Sequence, residues 1–434
     1  MVEPAAQQDA LTAELLAELE ATRGVDTHEH LMPEAERLQK DADFFSLFEH
    51  YCPGDLVAAG VHEQEMADLA DRSIPEEERW RRFKPYLSRI RTGSYARAAL
   101  WVVRDLLGLP DLDDETFREA GRRLRELLRP GVYDYVLRER CNLAACIQCV
   151  QLQHMGPDYF YHLAPAGDLV DFSGVPAVKA FGERLGRDIG GLNDLLEHMD
   201  AHLARWGSDR RVVGIKVGHA YVRSLEFRPV ERADAEGALR RILAAGREGD
   251  PDDVRALQDF LMFELAAHAS EAGLPIVIHT GLQAGNYGRI ADADPLLLQA
   301  LIAKNPRTKF DLYHGGMPWV RQIAVLAKYF PNVYLNMAWM HIISPAQARS
   351  ALAEWLDMVP NSKVFGFGGD YSIVEKVYGH LKIARENIAR VLAAKVRQGA
   401  WRRPEASLVA RRLMRENAVE FYGLSLDDEQ AAPW

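Results

Sequence analysis

Apolar residues along the chain fall into two alternating patterns: short continuous runs, and longer stretches in which they recur every three or four positions. The first is the pattern of a strand buried on both faces, the second that of an amphipathic helix. Residues 1–24 carry a helical pattern, with Leu11, Leu15, Leu16 and Leu19 on one face, and a short strand is predicted over 24–28. From 31 to 140 the pattern is helical and strongly charged, as in Glu76-Glu77-Glu78-Arg79-Trp80-Arg81-Arg82-Phe83. A second strand is predicted at 143–150 and a third near 168–172, followed by a helix from Gly191 to Trp206. Val212–Val217 reads as the fourth strand, Leu274–His279 as the fifth and Lys309–His314 as the sixth. Asn332–Met337 reads as the seventh and Lys363–Asp370 as the eighth. Helices at 252–272, 294–304, 318–330 and 345–358 separate the later strands, and further helices run to about 422.

Repeated strand–helix alternation predicts parallel strands joined by right-handed crossovers. An open doubly wound sheet alternates in the same way but places a glycine-rich phosphate loop after an early strand. Here Gly366, Gly368 and Gly369 lie in the last strand. The expected fold is therefore α/β, a distorted (β/α)8 TIM barrel with a large helical insertion after the first strand. Residues 1–30 are the N-terminal helix and first strand, 31–140 the insertion or lid, 141–425 the rest of the barrel with its closing helices, and 426–434 a tail. An insertion at this point sits at the catalytic end of a barrel, within reach of a substrate. Its candidate contacts are Phe44, His50, Tyr51, Arg91, Tyr95 and Arg97.

Composition narrows the function. Hydrophobic content of 48% and 26% charge suit a globular enzyme. A net charge of −11 argues against nucleic acid or an anionic membrane as partner. No apolar run reaches about 18 residues, so no transmembrane helix is expected. The N-terminus lacks the basic start and apolar core of a signal peptide, and the expected location is cytoplasmic. Cys146 and Cys149 form a C-x-x-C, but residues three apart on a strand face opposite ways, so both are read as small buried apolar residues.

The candidate chemistry sits at strand ends. In Asp26-Thr27-His28-Glu29-His30 the two histidines lie at i and i+2, on one face of a strand, and form half a metal site. His279 closes Ile276-Val277-Ile278, where an imidazole has little purpose except function. Asp370 follows a glycine-rich strand end, where a carboxylate can bind metal and accept a proton from its water. His314 ends the sixth strand, as a further metal ligand or as a group that polarises a substrate carbonyl. Lys216, within Val-Val-Gly-Ile-Lys-Val, is costly to bury without a partner. It is carbamylated, bridging two metals, or an ammonium that binds a substrate carboxylate, or a structural lysine whose amine snorkels to solvent. The expected metal ligands are His28, His30, His279 and Asp370, and the expected catalytic residues Asp370, His314 and Lys216. Tyr221, Arg223 and Arg289 are candidate substrate contacts, since arginine forks suit carboxylates. Either arginine can equally serve as a local salt bridge. His219, Trp339 and His341 form a weaker tier.

These motifs resemble the amidohydrolase superfamily. The resemblance rests on Asp-Thr-His-Glu-His at 26–30, Ile-Val-Ile-His at 276–279, Leu-Tyr-His-Gly-Gly at 312–316 and Gly-Gly-Asp-Tyr-Ser at 368–372. Pro331-Asn332-Val333-Tyr334-Leu335-Asn336 and the ending Glu416 to Leu424 are similar to the amidohydrolase-related (type 2) branch. The helical insertion resembles that of uronate isomerases, although those carry Asp-Ser-Arg where this chain has Asp370-Tyr371-Ser372. The resemblance implies Zn²⁺ or another divalent ion, one per chain or two if Lys216 is carbamylated. It implies hydrolysis of an amide, ester or lactone in a small carboxylate-bearing substrate, with sugar-acid isomerisation and non-oxidative decarboxylation as alternatives. A homo-oligomer is the family-level expectation.

Overall fold

The structure, a computed structural model, describes residues 5–149, 156–246 and 248–426. Of the tail expected at 426–434, residues 427–434 lie outside these residues. Eight strands form the core: β1 (Gly24–Glu29), β2 (Leu143–Gln148), β3 (Phe160–Pro165), β4 (Val212–Val217), β5 (Ile276–His279), β6 (Phe310–Tyr313), β7 (Val333–Asn336) and β8 (Val364–Phe365). They follow one another in sheet order from β1 to β8. With helices between most successive strands, the chain is a (β/α)8 TIM barrel.

Two strands depart from expectation. β3 lies at Phe160–Pro165, while Gly167–Val170 is a short helix. The Leu169-Val170 run is bounded by Asp168 and Asp171, too short an apolar stretch to cross the core. Phe160-Tyr161-His162-Leu163-Ala164 is buried throughout, a strand whose aromatic and polar side chains hid its period. β8 is only two residues long, and Gly366–Asp370 continues beyond it outside any ladder.

Packing divides the chain into two compact units. The first comprises residues 1–160, 284–288 and 336–434. In it β1 pairs parallel with β2, Asp26 opposite Cys146 and Glu29 opposite Gln148. The helices between β1 and β2 carry a core of their own, with Phe44, Phe45, Phe48, Trp80, Phe83 and Phe117 buried. The Trp80 and Phe117 rings stack at 5.0 Å. Buried Arg79 pairs with Asp43, which also caps the turn Phe44–Phe48 by accepting from the Phe45 amide. The buried pair Arg37–Glu375, 2.7 Å apart, ties the start of this region to the long helix Val374–Arg397. That helix meets Ser94–Asp105 so closely that a Cβ on Gly379 would collide with the Ala98 backbone.

The second unit comprises residues 161–283 and 289–335. Its strands are in register, with Val277 opposite both Lys216 and Asp311. Leu192–Ser208, Arg232–Ala245 and Pro251–Glu271 pack as its helical layer. No helix among the described residues is long and apolar enough to cross a membrane.

Candidate metal centre

In the first unit, the end of β1 and the segment after β8 bring His28, His30 and Asp370 together. His28 Nε2 lies 3.0 Å and His30 Nε2 3.3 Å from the same oxygen, Asp370 Oδ1. His28 and Asp370 are buried, while the His30 side chain is 40% exposed and leaves the cluster open on one side. Two imidazole nitrogens and a carboxylate oxygen are a donor set suited to Zn²⁺ and neighbouring divalent ions. The residues thus fit the expected group.

Asp370 adopts a left-handed backbone, φ 60°. Such a conformation in a non-glycine residue persists only where its surroundings over-determine it. Here they do. Each carbonyl from Gly366 to Asp370 accepts a hydrogen bond from a different group. His341 Nε2 donates to Gly366 at 2.9 Å, Thr27 Oγ1 to Phe367 at 2.8 Å and the Trp339 amide to Gly368 at 2.9 Å. His380 Nδ1 donates to Gly369 at 3.0 Å and the Tyr51 hydroxyl to Asp370 at 2.6 Å. The amides point the other way: Gly369 donates to Asp26 Oδ1, Asp370 to the His28 carbonyl and Tyr371 to Glu29 Oε2. Tyr51 and Trp339 are themselves left-handed, and their rings stack at 4.6 Å.

Asp26 and Glu29 lie beneath this cluster, both fully buried. Burial raises both carboxyl pKa values, that of Asp26 to about 6, and with the charge of Asp26 added that of Glu29 well above the ordinary range. The pair therefore retains a proton where isolated carboxyls would have lost theirs. Burial also lowers the pKa of His50 to about 4, so that ring is neutral beside the Ser372 amide it accepts from.

Cys149 corrects the reading from sequence. It is half-buried, and its Sγ lies 2.9 Å from His28 Nδ1, on the far side of that ring from Asp370. Cys146 is a buried apolar residue as expected, with burial pushing its thiol pKa well up. Parallel pairing of Glu29 with Gln148 delivers Cys149 to His28, and no spacing within one strand reveals that.

In the second unit, β5 and β6 end side by side, and the His279 and His314 rings lie 4.3 Å apart. His279 Nε2 donates to the Leu282 carbonyl at 2.9 Å, which places its lone pair on Nδ1. His314, buried and left-handed at φ 66°, is followed by two more left-handed residues, Gly315 and Gly316. Lys216 lies with its ammonium 4.3 Å from the centre of the Tyr313 ring, a cation–π contact that offsets part of its burial cost. Tyr221, 49% exposed, places its ring 4.6 Å from His279. Arg223 is engaged by Asp259 at 2.6 Å, by Gln258 and by the Glu226 carbonyl, in the manner of a structural salt bridge. Arg289 is 85% exposed and pairs with Asp292. His219 is buried against Asp171 at 2.8 Å. Sequence reasoning missed Cys149 and His380 and weighted Tyr51 and His341 lightly, because each acts through a neighbour from a distant part of the chain.

Residues 177–424 match the family model described as Amidohydrolase. The chain belongs to the amidohydrolase family. Among curated proteins it is similar to Protein fluG of Emericella nidulans, 26% identical over 235 residues, which are 52% of this chain and 27% of that protein. The chain thus spans only about a quarter of that relative. Solved structures share its fold over nearly the whole length. Glucuronate isomerase from Caulobacter crescentus has a TM-score of 0.79 at 18% identity, covering 100% of this chain and 97% of that one. Uronate isomerase from Thermotoga maritima gives 0.78 at 16%, covering 97% and 100%. A protein described as a metal-dependent hydrolase, from Lactobacillus casei, gives 0.65 at 15%, covering 94% and 97%.

Proposed function

We propose that this amidohydrolase is a metal-dependent hydrolase of a C–N or C–O bond (amide, ester or lactone) in a small carboxylate-bearing substrate. The observation that carries the proposal is the convergence of His28 and His30 on one Asp370 oxygen. His279, His314 and Lys216 complete the same centre in this reading, since active sites of (β/α)8 enzymes assemble from the C-terminal ends of the strands. His28, His30, His279 and Asp370 would hold Zn²⁺ or another divalent ion, which when bound supplies Lewis acidity and brings the pKa of water toward ~7. Asp370 takes the proton from the attacking water and hands it to the leaving group. His314 stabilises the oxyanion that develops on the substrate carbonyl. Lys216 binds the substrate carboxylate as an ammonium, or as a carbamate joins the donor set for a second ion. Tyr221 and Arg289 contact the substrate, and Arg223 braces the loop that presents Tyr221.

A second reading is a sugar-acid isomerase, favoured by the whole-chain likeness to the two isomerases. One experiment separates the two. The Zn²⁺- or Mn²⁺-loaded protein is incubated in ¹⁸O-water with N-acyl amino acids, lactones of hydroxy acids and hexuronic acids, and products are read by mass spectrometry. Hydrolysis places one ¹⁸O in a newly formed carboxylate. Conversion of a hexuronic acid to its ketose without that label, or release of CO₂, overturns the hydrolase reading.

A further inference from the structure

Two buried histidines lie outside the donor set, one at each end of the glycine-rich run that leads to Asp370. His341 Nε2 donates to the carbonyl of Gly366 and His380 Nδ1 to that of Gly369. The β8 ladder stops at Phe365, and three of the four residues from 366 to 369 are glycine. Such a run has little conformational preference of its own, and no β-carbons by which neighbours could lock Gly366, Gly368 or Gly369. Its direction is set by what holds its peptide groups.

We infer that His341 and His380 are positioning residues for Asp370, acting as neutral N–H donors through specified ring atoms, Nε2 of His341 and Nδ1 of His380. The inference rests on the role proposed above for Asp370 in binding the metal. Carbonyls three residues apart, each held by a rigid ring, fix the rotation of the run and so the aim of the carboxylate that follows. The tautomer of His341 is itself set: its Nδ1 accepts from Asn387 Nδ2 at 3.3 Å, and Asn387 Oδ1 accepts from Arg349 at 2.8 Å. An oriented chain therefore runs Arg349, Asn387, His341, Gly366. The His380 ring is held between Phe367, 5.0 Å away, and Tyr371, 6.0 Å away. Both histidines are fully buried, and burial lowers their pKa values to about 4 and about 3, so both are neutral at ordinary pH.

The test exploits amide geometry, because the asparagine amide overlays Nδ1 of histidine and the glutamine amide overlays Nε2. Zn²⁺ affinity is measured by chelator competition, and the melting temperature is measured on metal-free protein. His380→Asn and His341→Gln keep the donor where it is needed and should bind Zn²⁺ within a few-fold of the parent. His380→Gln and His341→Asn misplace it and should bind about 10–100-fold more weakly. Equal affinity in all four, or affinity that follows the metal-free melting temperature rather than the atom replaced, overturns the inference. Should a variant fail to fold, ¹⁵N spectra of histidine-labelled parent protein decide. They should show the Nε2–H tautomer for His341 and the Nδ1–H tautomer for His380, and the reverse assignment overturns the inference. Parent protein that takes up neither Zn²⁺ nor Mn²⁺ overturns the metal-centre reading first, and the inference with it, an outcome distinct from selective loss in the variants.

Discussion

At the scale of single residues, His28 and the run leading to Asp370 are held by groups outside the donor set. A Cβ on Gly369 would fall on the buried Glu29 carboxyl and lie 3.1 Å from Asp26 Oδ2, so the Glu29 side chain would have to shift from the Tyr371 amide it accepts from. Gly369→Ala is expected to cost about 1–3 kcal/mol, read from urea denaturation. Cys149→Ala removes the sulfur that receives the His28 Nδ1 proton once Nε2 faces a metal, and Zn²⁺ affinity should fall roughly tenfold. Cys149→Ser, which retains an acceptor, should lose less. An equal loss in both variants would show that packing, not the hydrogen bond, makes the contact matter. His28, His30 and Asp370 were legible because strand period and a glycine-rich strand end are local signals. Cys149 and His380 were not, because register and helix packing across the chain bring them to the site.

At the scale of elements, the parallel strands declared themselves wherever an apolar run was bounded by turn residues, as at 212–217 and 276–279. β3 escaped because His162 and two aromatic residues blurred its pattern. The region between β1 and β2 was recognisable as helical, yet its attachment was not: that depends on Arg37 and Glu375, which meet 338 residues apart. Both are almost fully buried, so breaking the pair is more costly than removing it. Arg37→Met should destabilise by about 3–5 kcal/mol, and adding Glu375→Leu should recover much of that loss in a double-mutant cycle by chemical denaturation. Additive losses would show that the pair contributes no coupling.

At the scale of the molecule, buried titratable groups set the response to acid. Burial holds His50, His198 and His341 near pKa 4 and His380 near 3, against about 6.5 in the unfolded chain. Their contribution to stability is complete above pH ~6.5 and is lost as pH falls toward 4, since the unfolded state then binds more protons. Asp26 and Glu29, raised by burial, act with the opposite sign over an overlapping range. Asp55, Glu76 and Asp259 are raised by burial as well, so the fall in melting temperature of metal-free protein between pH 6.5 and 4 should be smaller than the histidines alone would give. The double variant His341→Gln/His380→Asn should show a shallower fall, and an unchanged slope would mean that these rings do not remain neutral in the fold.

One consequence follows from where the donors lie in the chain. Asp26 and Gly369, 343 residues apart, share a hydrogen bond, and His28 and Asp370 beside them meet at 3.0 Å. A ribosome releases His28 and His30 long before Asp370, with β2 to β8 made in between. A nascent chain therefore holds two imidazoles that grip an ion weakly, and gains the carboxylate only once nearly every strand has been made. Metal loading becomes a report that β8 has been made, and fragments ending before Asp370 should emerge from translation without tightly bound metal.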